Sequence, residues 1–273
     1  MLESSLREGV KMYKLLAFDV DGTLVEKEER LSKETIEALK RVRDQGIQIT
    51  IATGRSYSGI TQIIDEVGFK LPVITFNGAN VVDVESEEVI YSKELNDDDA
   101  KILDQLSKEF EIPYIVWANN NLYASEMNEK VKWYAERFNC NAYIVEDFSE
   151  ALSYGVTKFL WFLKIEDVDG VKKRLEGRVP ESVSYFTSRP EFLEFINADV
   201  SKGVALDFLA TKLGIKQSEV MAFGDGENDM EMIKYAGKGI AMGNAKDHVK
   251  AVADYVTDAN TENGIANAIN KFI

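Results

Sequence analysis

The chain has 273 residues, 45% hydrophobic and 29% charged, which is ordinary globular usage and leaves room for one large core or, preferably, two smaller ones. Lysine and arginine number 32 against 47 aspartates and glutamates, and the net charge of −15 disfavours a nucleic-acid partner and obliges any anion site to supply local positive charge. The single Cys140 excludes an intrachain disulfide, and no stretch reaches the ~20 apolar residues of a membrane span, so the expectation is a cytoplasmic monomer or small homo-oligomer without a membrane partner.

Residues 1–11 lack the apolar run of a signal peptide and read as an N-terminal extension. LLAFDV at 15–20 is a short apolar strand running into the turn Asp21-Gly22. Ser32 caps a helix that ends near Gly46, and IQITIA is the next strand. A helix over 56–67 and the strand PVITF at 72–76 continue the alternation, which predicts a parallel sheet covered by helices. From about 80 to 190 the grammar changes. Strand pairs such as IPYIVWA and NLYAS, helices over 97–110, 127–138 and 167–177, and the strands VTKFLWFLK, SVSYFTS and EFLEFI predict an antiparallel α+β insertion. After residue 200 the first grammar returns: a helix at 203–213, VMAF, a helix at 228–235, GIAM, a helix at 246–252, DYVT and a helix at 263–272. The predicted domains are therefore 12–80 with 191–273 as an α/β core, and 81–190 as the insertion.

Four signals fall at the carboxyl edge of the predicted sheet, where ligands bind in open α/β folds. Asp19 and Asp21, two residues apart in DVDGTL, can share a metal or divide nucleophile and acid roles, and Gly22 permits the turn. Thr53 and Gly54 in ATGRS offer a hydroxyl and backbone N–H groups at a helix start, suited to phosphate oxygens, while Arg55 can reach toward the insertion or a substrate or simply form an ion pair. Lys202 opens a helix, where the helix dipole opposes a cation, so a neutralising role toward an anion would account for it. Asp225 and Asp229 in FGDGEND can ligate a hard cation through oxygen, with Asn228 as a neutral donor. Taken singly, each has a commonplace explanation as a turn, a cap or a surface charge. His248, the lone histidine, reads as surface, and Trp117, Trp133, Trp161 and Tyr123 read as packing of the insertion.

As an ordered set, Asp19/Asp21, Thr53, Lys202 and Asp225/Asp229 resemble the motifs of the haloacid dehalogenase superfamily. The long gap between Thr53 and Lys202, with NGA at 77–79, AMGNA at 241–245 and ENGIA at 262–266, is similar to its Cof-type phosphatases. The resemblance implies a Rossmann-like parallel-sheet core with an inserted α+β cap for substrate specificity. It further implies a magnesium-dependent phosphatase acting on a small phosphorylated metabolite, such as a sugar phosphate or phosphorylated cofactor, through an aspartyl-phosphate. By that resemblance Asp19 is the nucleophile and Asp21 the general acid and base. Asp19, Asp21, Asp225 and Asp229 serve Mg2+, while Gly22, Thr53, Gly54, Arg55, Lys202 and Asn228 serve phosphate or substrate. A phosphomutase of the same superfamily and a non-catalytic phosphometabolite-binding protein are the alternatives. The chain departs from many relatives at Asn197 and Asp199, where those have Pro and Gly before the motif lysine.

Overall fold

The computed structural model describes residues 13–25, 30–68 and 70–273. The extension expected over 1–11 lies outside them.

In chain order, β1 (Leu15–Phe18) is buried along its whole length, as an interior parallel strand must be. Helix α1 (Lys33–Asp44) starts at Ser32, whose hydroxyl oxygen accepts from the Thr35 N–H, and Gly46 turns the chain out at φ 80°. β2 (Gln48–Ile51) follows. The helix expected from residue 56 begins as a 3-10 turn over Ser58–Ile60 and continues as α2 (Thr61–Val67), so it opens three residues after Arg55 rather than beside it. β3 (Val73–Thr75), β4 (Asn80–Val82) and β5 (Val89–Ser92) make a separate antiparallel sheet. This corrects the expectation that residues 72–76 extend the parallel sheet. Phe76, Asn77 and Gly78 take φ of 49°, 59° and 103°, which turns the chain back on itself and pairs β3 with β4.

The insertion then runs α3 (Asp97–Glu109), β6 (Tyr114–Ala118), β7 (Asn121–Ala124), α4 (Glu129–Arg137), β8 (Ala142–Ile144) and α5 (Phe148–Leu152). It closes with β9 (Val156–Phe162), α6 (Val168–Leu175), β10 (Val183–Arg189) and β11 (Phe192–Asn197). Its sheet has the order β10-β11-β9-β6-β7-β8, antiparallel except for β7 with β8. The twofold alternation of strand side chains gives the sheet two apolar faces. Phe159, Trp161, Leu193 and Phe195 pack against α3 and α6, while Trp117, Leu160, Phe162 and Phe192 pack against Tyr134 and Val131 of α4. The expected boundary at 190 falls between β10 and β11, which are hydrogen-bonded neighbours.

The core resumes with α7 (Lys202–Lys212), β12 (Val220–Gly224), α8 (Met230–Tyr235), β13 (Lys238–Ala241), α9 (Asp247–Lys250), β14 (Tyr255–Val256) and α10 (Gly264–Phe272). Five parallel strands stand in the order β14-β13-β12-β1-β2. From β1 the chain moves outward to β2, and from β12 it moves the other way to β13 and β14, so the switch point lies between β1 and β12. Phe18 and Phe223 stack across that junction at 4.6 Å. The described residues form two compact units: those within 1–52, 67–71 and 202–273 in one, those within 53–66 and 72–201 in the other. Among the described residues no helix is long and apolar enough to cross a membrane.

Candidate active site

The carboxyl ends of β1 and β12 carry Asp19 and Asp225, one residue beyond each strand. Parallel pairing puts Phe18 opposite Phe223, which brings the two acidic loops side by side at the switch point. A 3-10 turn over Glu227–Asp229 then folds Asp229 back beneath the second loop, where its Oδ2 accepts from the N–H groups of Asp225 at 3.0 Å and Gly226 at 2.8 Å.

Lys202, the first residue of α7, is fully buried and donates to Asp19 Oδ1 and Asp229 Oδ1, each at 2.6 Å. Its unfavourable place at a helix N-terminus is thus offset by two carboxylates. Gly203 makes the approach possible: a Cβ there would lie 2.7 Å from the Glu231 carbonyl oxygen of α8. Burial alone would pull the lysine pKa down, but the charges of Asp19 and Asp229 more than offset this and hold the ammonium ionised.

Asp225 accepts from the Thr23 hydroxyl at 3.0 Å through Oδ1 and from Asn244 Nδ2 at 3.2 Å through Oδ2, while Asn244 Nδ2 also reaches the Gly22 carbonyl at 2.9 Å. Gly22 has φ 91°, and a Cβ there would stand 2.4 Å from Asp225 Oδ2, so both backbone conformation and space require glycine. The loops are therefore stapled by Thr23 and Asn244, which the sequence reading did not single out for this role. Thr23 sits in the quoted DVDGTL and Asn244 in AMGNA, but nothing in their spacing reveals that both address one carboxylate.

Asp19, Asp225 and Asp229 each offer a carboxylate oxygen, and the three oxygens lie within 4.8 Å of one another. Burial first, then the charge of Asp229, push the Asp19 pKa up to about 8 against the pull of Lys202, and burial with Asp229 also raises that of Asp225. Three carboxylates beside one ammonium leave two negative charges uncompensated when all are ionised. A small divalent cation suits an all-oxygen donor set and supplies the missing charge. The residues present therefore fit a hard metal ion.

Asp21 lies two residues past Asp19, is exposed, and forms a bridge with Val25. Asn228 is exposed on the turn before α8. Thr53, Gly54 and Arg55 belong to the second compact unit. The chain reaches Thr53 two residues beyond Ile51, the register partner of Phe18. The Thr53 N–H donates to the Ile74 carbonyl at 2.9 Å, and the Arg55 N–H donates to the Thr53 hydroxyl at 3.1 Å. The Arg55 guanidinium reaches the Gly59 carbonyl at 3.3 Å. Asn197 and Asp199 form a side-chain turn, Asp199 N–H to Asn197 Oδ1 at 2.9 Å, which is tied to the Glu94 carbonyl at 2.8 Å and to Lys93 at 2.9 Å. Of the aromatics, Trp117, Trp161 and Tyr123 are buried, but Trp133 is 43% exposed. His248 pairs with Glu227 at 3.1 Å.

Residues 16–269 match the profile of the haloacid dehalogenase-like hydrolases. The chain belongs to that family. It is 33% identical over 271 residues to YcsE of Bacillus subtilis, a 5-amino-6-(5-phospho-D-ribitylamino)uracil phosphatase, covering 98% of either chain. Among solved structures it is similar to TM0651 of Thermotoga maritima, with TM-score 0.85 and 31% identity over 95% of this chain and 97% of that one. It is also similar to the subclass IIB sugar phosphatase BT4131, with TM-score 0.78 and 32% identity over 95% and 98%. The resemblance read from the motifs and the α/β parallel-sheet core both hold, and with relatives named as phosphatases the chain is a phosphoric monoester hydrolase of this family.

Proposed function

We propose that the protein hydrolyses a small phosphorylated metabolite, a sugar phosphate or phosphorylated cofactor, through an aspartyl-phosphate on Asp19, in a reducing cytoplasm. The observation that carries this is the buried ammonium of Lys202, held at 2.6 Å by both Asp19 and Asp229, beside a third carboxylate from Asp225. Lys202 engages Asp19 Oδ1, which orients the carboxylate and leaves Oδ2 to attack phosphorus. Asp21 protonates the leaving oxygen and then takes a proton from the water that cleaves the acyl phosphate.

Thr53, the Gly54 N–H, Arg55, Lys202 and Asn228 hold phosphoryl and substrate oxygens, and Gly22 lets the first loop close on them. Asp19, the Asp21 backbone carbonyl and Asp225 would hold magnesium, with Asp229 supporting them, since both of its oxygens are already engaged. When bound, that ion supplies the positive charge that keeps the carboxylates ionised and neutralises phosphoryl oxygens. Substrate choice is assigned to loops of the inserted segment 81–190, because specificity resides in loops carried on a rigid scaffold, while the core supplies the phosphoryl-transfer groups common to any substrate.

The test is phosphate release from a panel of phosphomonoesters with magnesium present. Asp19→Asn should abolish release while far-UV circular dichroism stays unchanged, and Asp21→Asn should be severely impaired. Interconversion of sugar phosphates without free phosphate would instead assign a mutase. A normal rate in Asp19→Asn, after deamidation is excluded, would remove the nucleophile.

A further inference from the structure

Within the second compact unit one buried charged pair plays no part in the chemistry above. Lys158 of β9 and Glu194 of β11 project from the same sheet face, 3.1 Å apart, and are 6% and 8% exposed. Burial would discharge the lysine, but Glu194 and Tyr134, both accepting from its ammonium, outweigh burial and keep it charged. The Tyr134 hydroxyl also accepts from Trp117 Nε1 at 3.2 Å. Well-packed apolar residues of similar volume often replace a buried ion pair without loss of stability, so stability alone does not account for this one.

A further reason lies against Phe76. The Lys158 ammonium stands 5.3 Å from the centre of its ring, and Trp117 packs on it at 5.1 Å. Phe76 and Asn77 both hold left-handed backbone, φ 49° and 59°, which is an outlier for a bulky side chain and persists only where surroundings enforce it. The same two residues brace the Thr53–Arg55 turn: the Phe76 N–H donates to the Arg55 carbonyl at 3.0 Å, and the Asn77 N–H donates to the Thr53 carbonyl at 2.9 Å. The Asn77 side chain covers Gly54, its Oδ1 3.0 Å from where a Cβ would be.

We infer that the Lys158–Glu194 pair is a positioning device for the phosphate-binding turn: it clamps Phe76, fixes the left-handed Phe76–Asn77 step, and through it sets where Thr53 and the Gly54 N–H meet phosphoryl oxygens. This rests on the reading of Thr53–Arg55 as a phosphate-binding turn. The pair touches no substrate and acts through the backbone of the brace.

The test replaces both partners, Lys158→Met with Glu194→Leu, so that no buried charge is left alone, and compares Lys158→Arg, which keeps the cation. The control is Asp104→Asn with Tyr114→Phe, a 2.6 Å pair that includes Tyr114, which packs with the opposite sheet face. Binding of inorganic phosphate by calorimetry and KM and kcat with para-nitrophenyl phosphate are measured, with tryptophan fluorescence as the fold check. The double variant should stay folded, weaken phosphate binding and raise KM by about tenfold each, and lower kcat less than KM rises. Lys158→Arg should recover to within about threefold of wild type, and the control should change neither constant. Phosphate affinity and KM within twofold of wild type in the double variant, or an equal shift in the control, overturns the proposal. A wild type that binds phosphate without hydrolysing esters would defeat the phosphatase reading alone, since the binding comparison still decides the role of the pair.

Discussion

Lys202→Met is the sharpest perturbation of the core site. The native ammonium is wholly buried and makes two hydrogen bonds of 2.6 Å, to carboxylates of Asp19 and Asp229 that are themselves 4% and 1% exposed. Removing it leaves two buried carboxylates facing each other, a change that costs about 3–5 kcal/mol where one partner of a buried pair is lost. Against a total stability of about 5–15 kcal/mol this is a large fraction. With a urea slope of about 2 kcal/mol per molar, the midpoint in EDTA should fall by about 2 M. Saturating magnesium should recover part of it, because about 2.7 kcal/mol is gained at a hundred times the dissociation constant, and the cation replaces the missing charge. All three tryptophans, Trp117, Trp133 and Trp161, lie in the other compact unit, so the unfolding must be followed by circular dichroism rather than indole fluorescence. Adding Asp229→Asn to Lys202→Met should restore stability by relieving the repulsion, a non-additive result that a double-mutant cycle measures. A midpoint in EDTA equal to wild type, or a double variant no more stable than the single, would show that this charge network does not bear on the fold.

Three further outcomes are expected. Gly22→Ala should destabilise the protein by about 1–3 kcal/mol and raise the magnesium concentration for half-maximal activity, because the new Cβ meets Asp225 at 2.4 Å and sits at φ 91°; calorimetric titration and melting temperature check it. Chelation should abolish phosphatase activity, magnesium should restore it, and calcium should do so poorly, since its longer and more variable oxygen distances misplace Asp19; equal rates in magnesium-free calcium would refute that geometry. Burial pushes the Cys140 thiol up to about 11, so about one molecule in a thousand is thiolate at pH 8; alkylation followed by mass spectrometry should speed up about tenfold per pH unit towards pH 10, and a pH-independent rate would count against the burial.

The parallel core was legible because its signals are local. Short apolar strands, the Ser32 cap and glycines at helix ends each act within a few residues, and the five strands they define appear where expected. What was not legible depends on long-range pairing. The turn at Phe76–Gly78 diverts β3 out of the parallel sheet, yet PVITF by itself reads like any buried strand. β8 and α5 span only three and five residues, and Tyr143 and Ile144 of β8 are exposed, so neither carries a periodicity to detect. Trp133 fails as a core residue because its position on α4 turns it outward, its ring meeting Phe192 only edge-on at 6.1 Å. In the site, motif spacing pointed to the acidic residues, but the direction of each hydrogen bond, such as Thr23 and Asn244 converging on Asp225, exists only after folding.

A chain of net charge −15 that handles phosphate esters must solve an electrostatic problem, and the site geometry limits the solutions. Lys202 cannot neutralise the incoming dianion alone, because its charge is already shared between Asp19 and Asp229 at 2.6 Å. Asp225 is positioned by Thr23 and Asn244, neutral donors that orient it without cancelling its charge. The negative charge left uncompensated on the carboxylates therefore opposes a phosphate dianion, and at contact distances such repulsion is worth several kcal/mol even at an effective dielectric near 20. In the mechanism proposed above, substrate affinity and the protonation of Asp19 would be tied to the same event, the binding of a cation. Under that mechanism a cation held by these carboxylates would lower the Asp19 pKa from its raised value and favour the ionised form that attacks, and it would also reduce the repulsion of the phosphoryl group. The three acidic residues and the single lysine thus form one charge-coupled unit, in which the charges of Asp229 and Lys202 bear directly on the ionisation of Asp19.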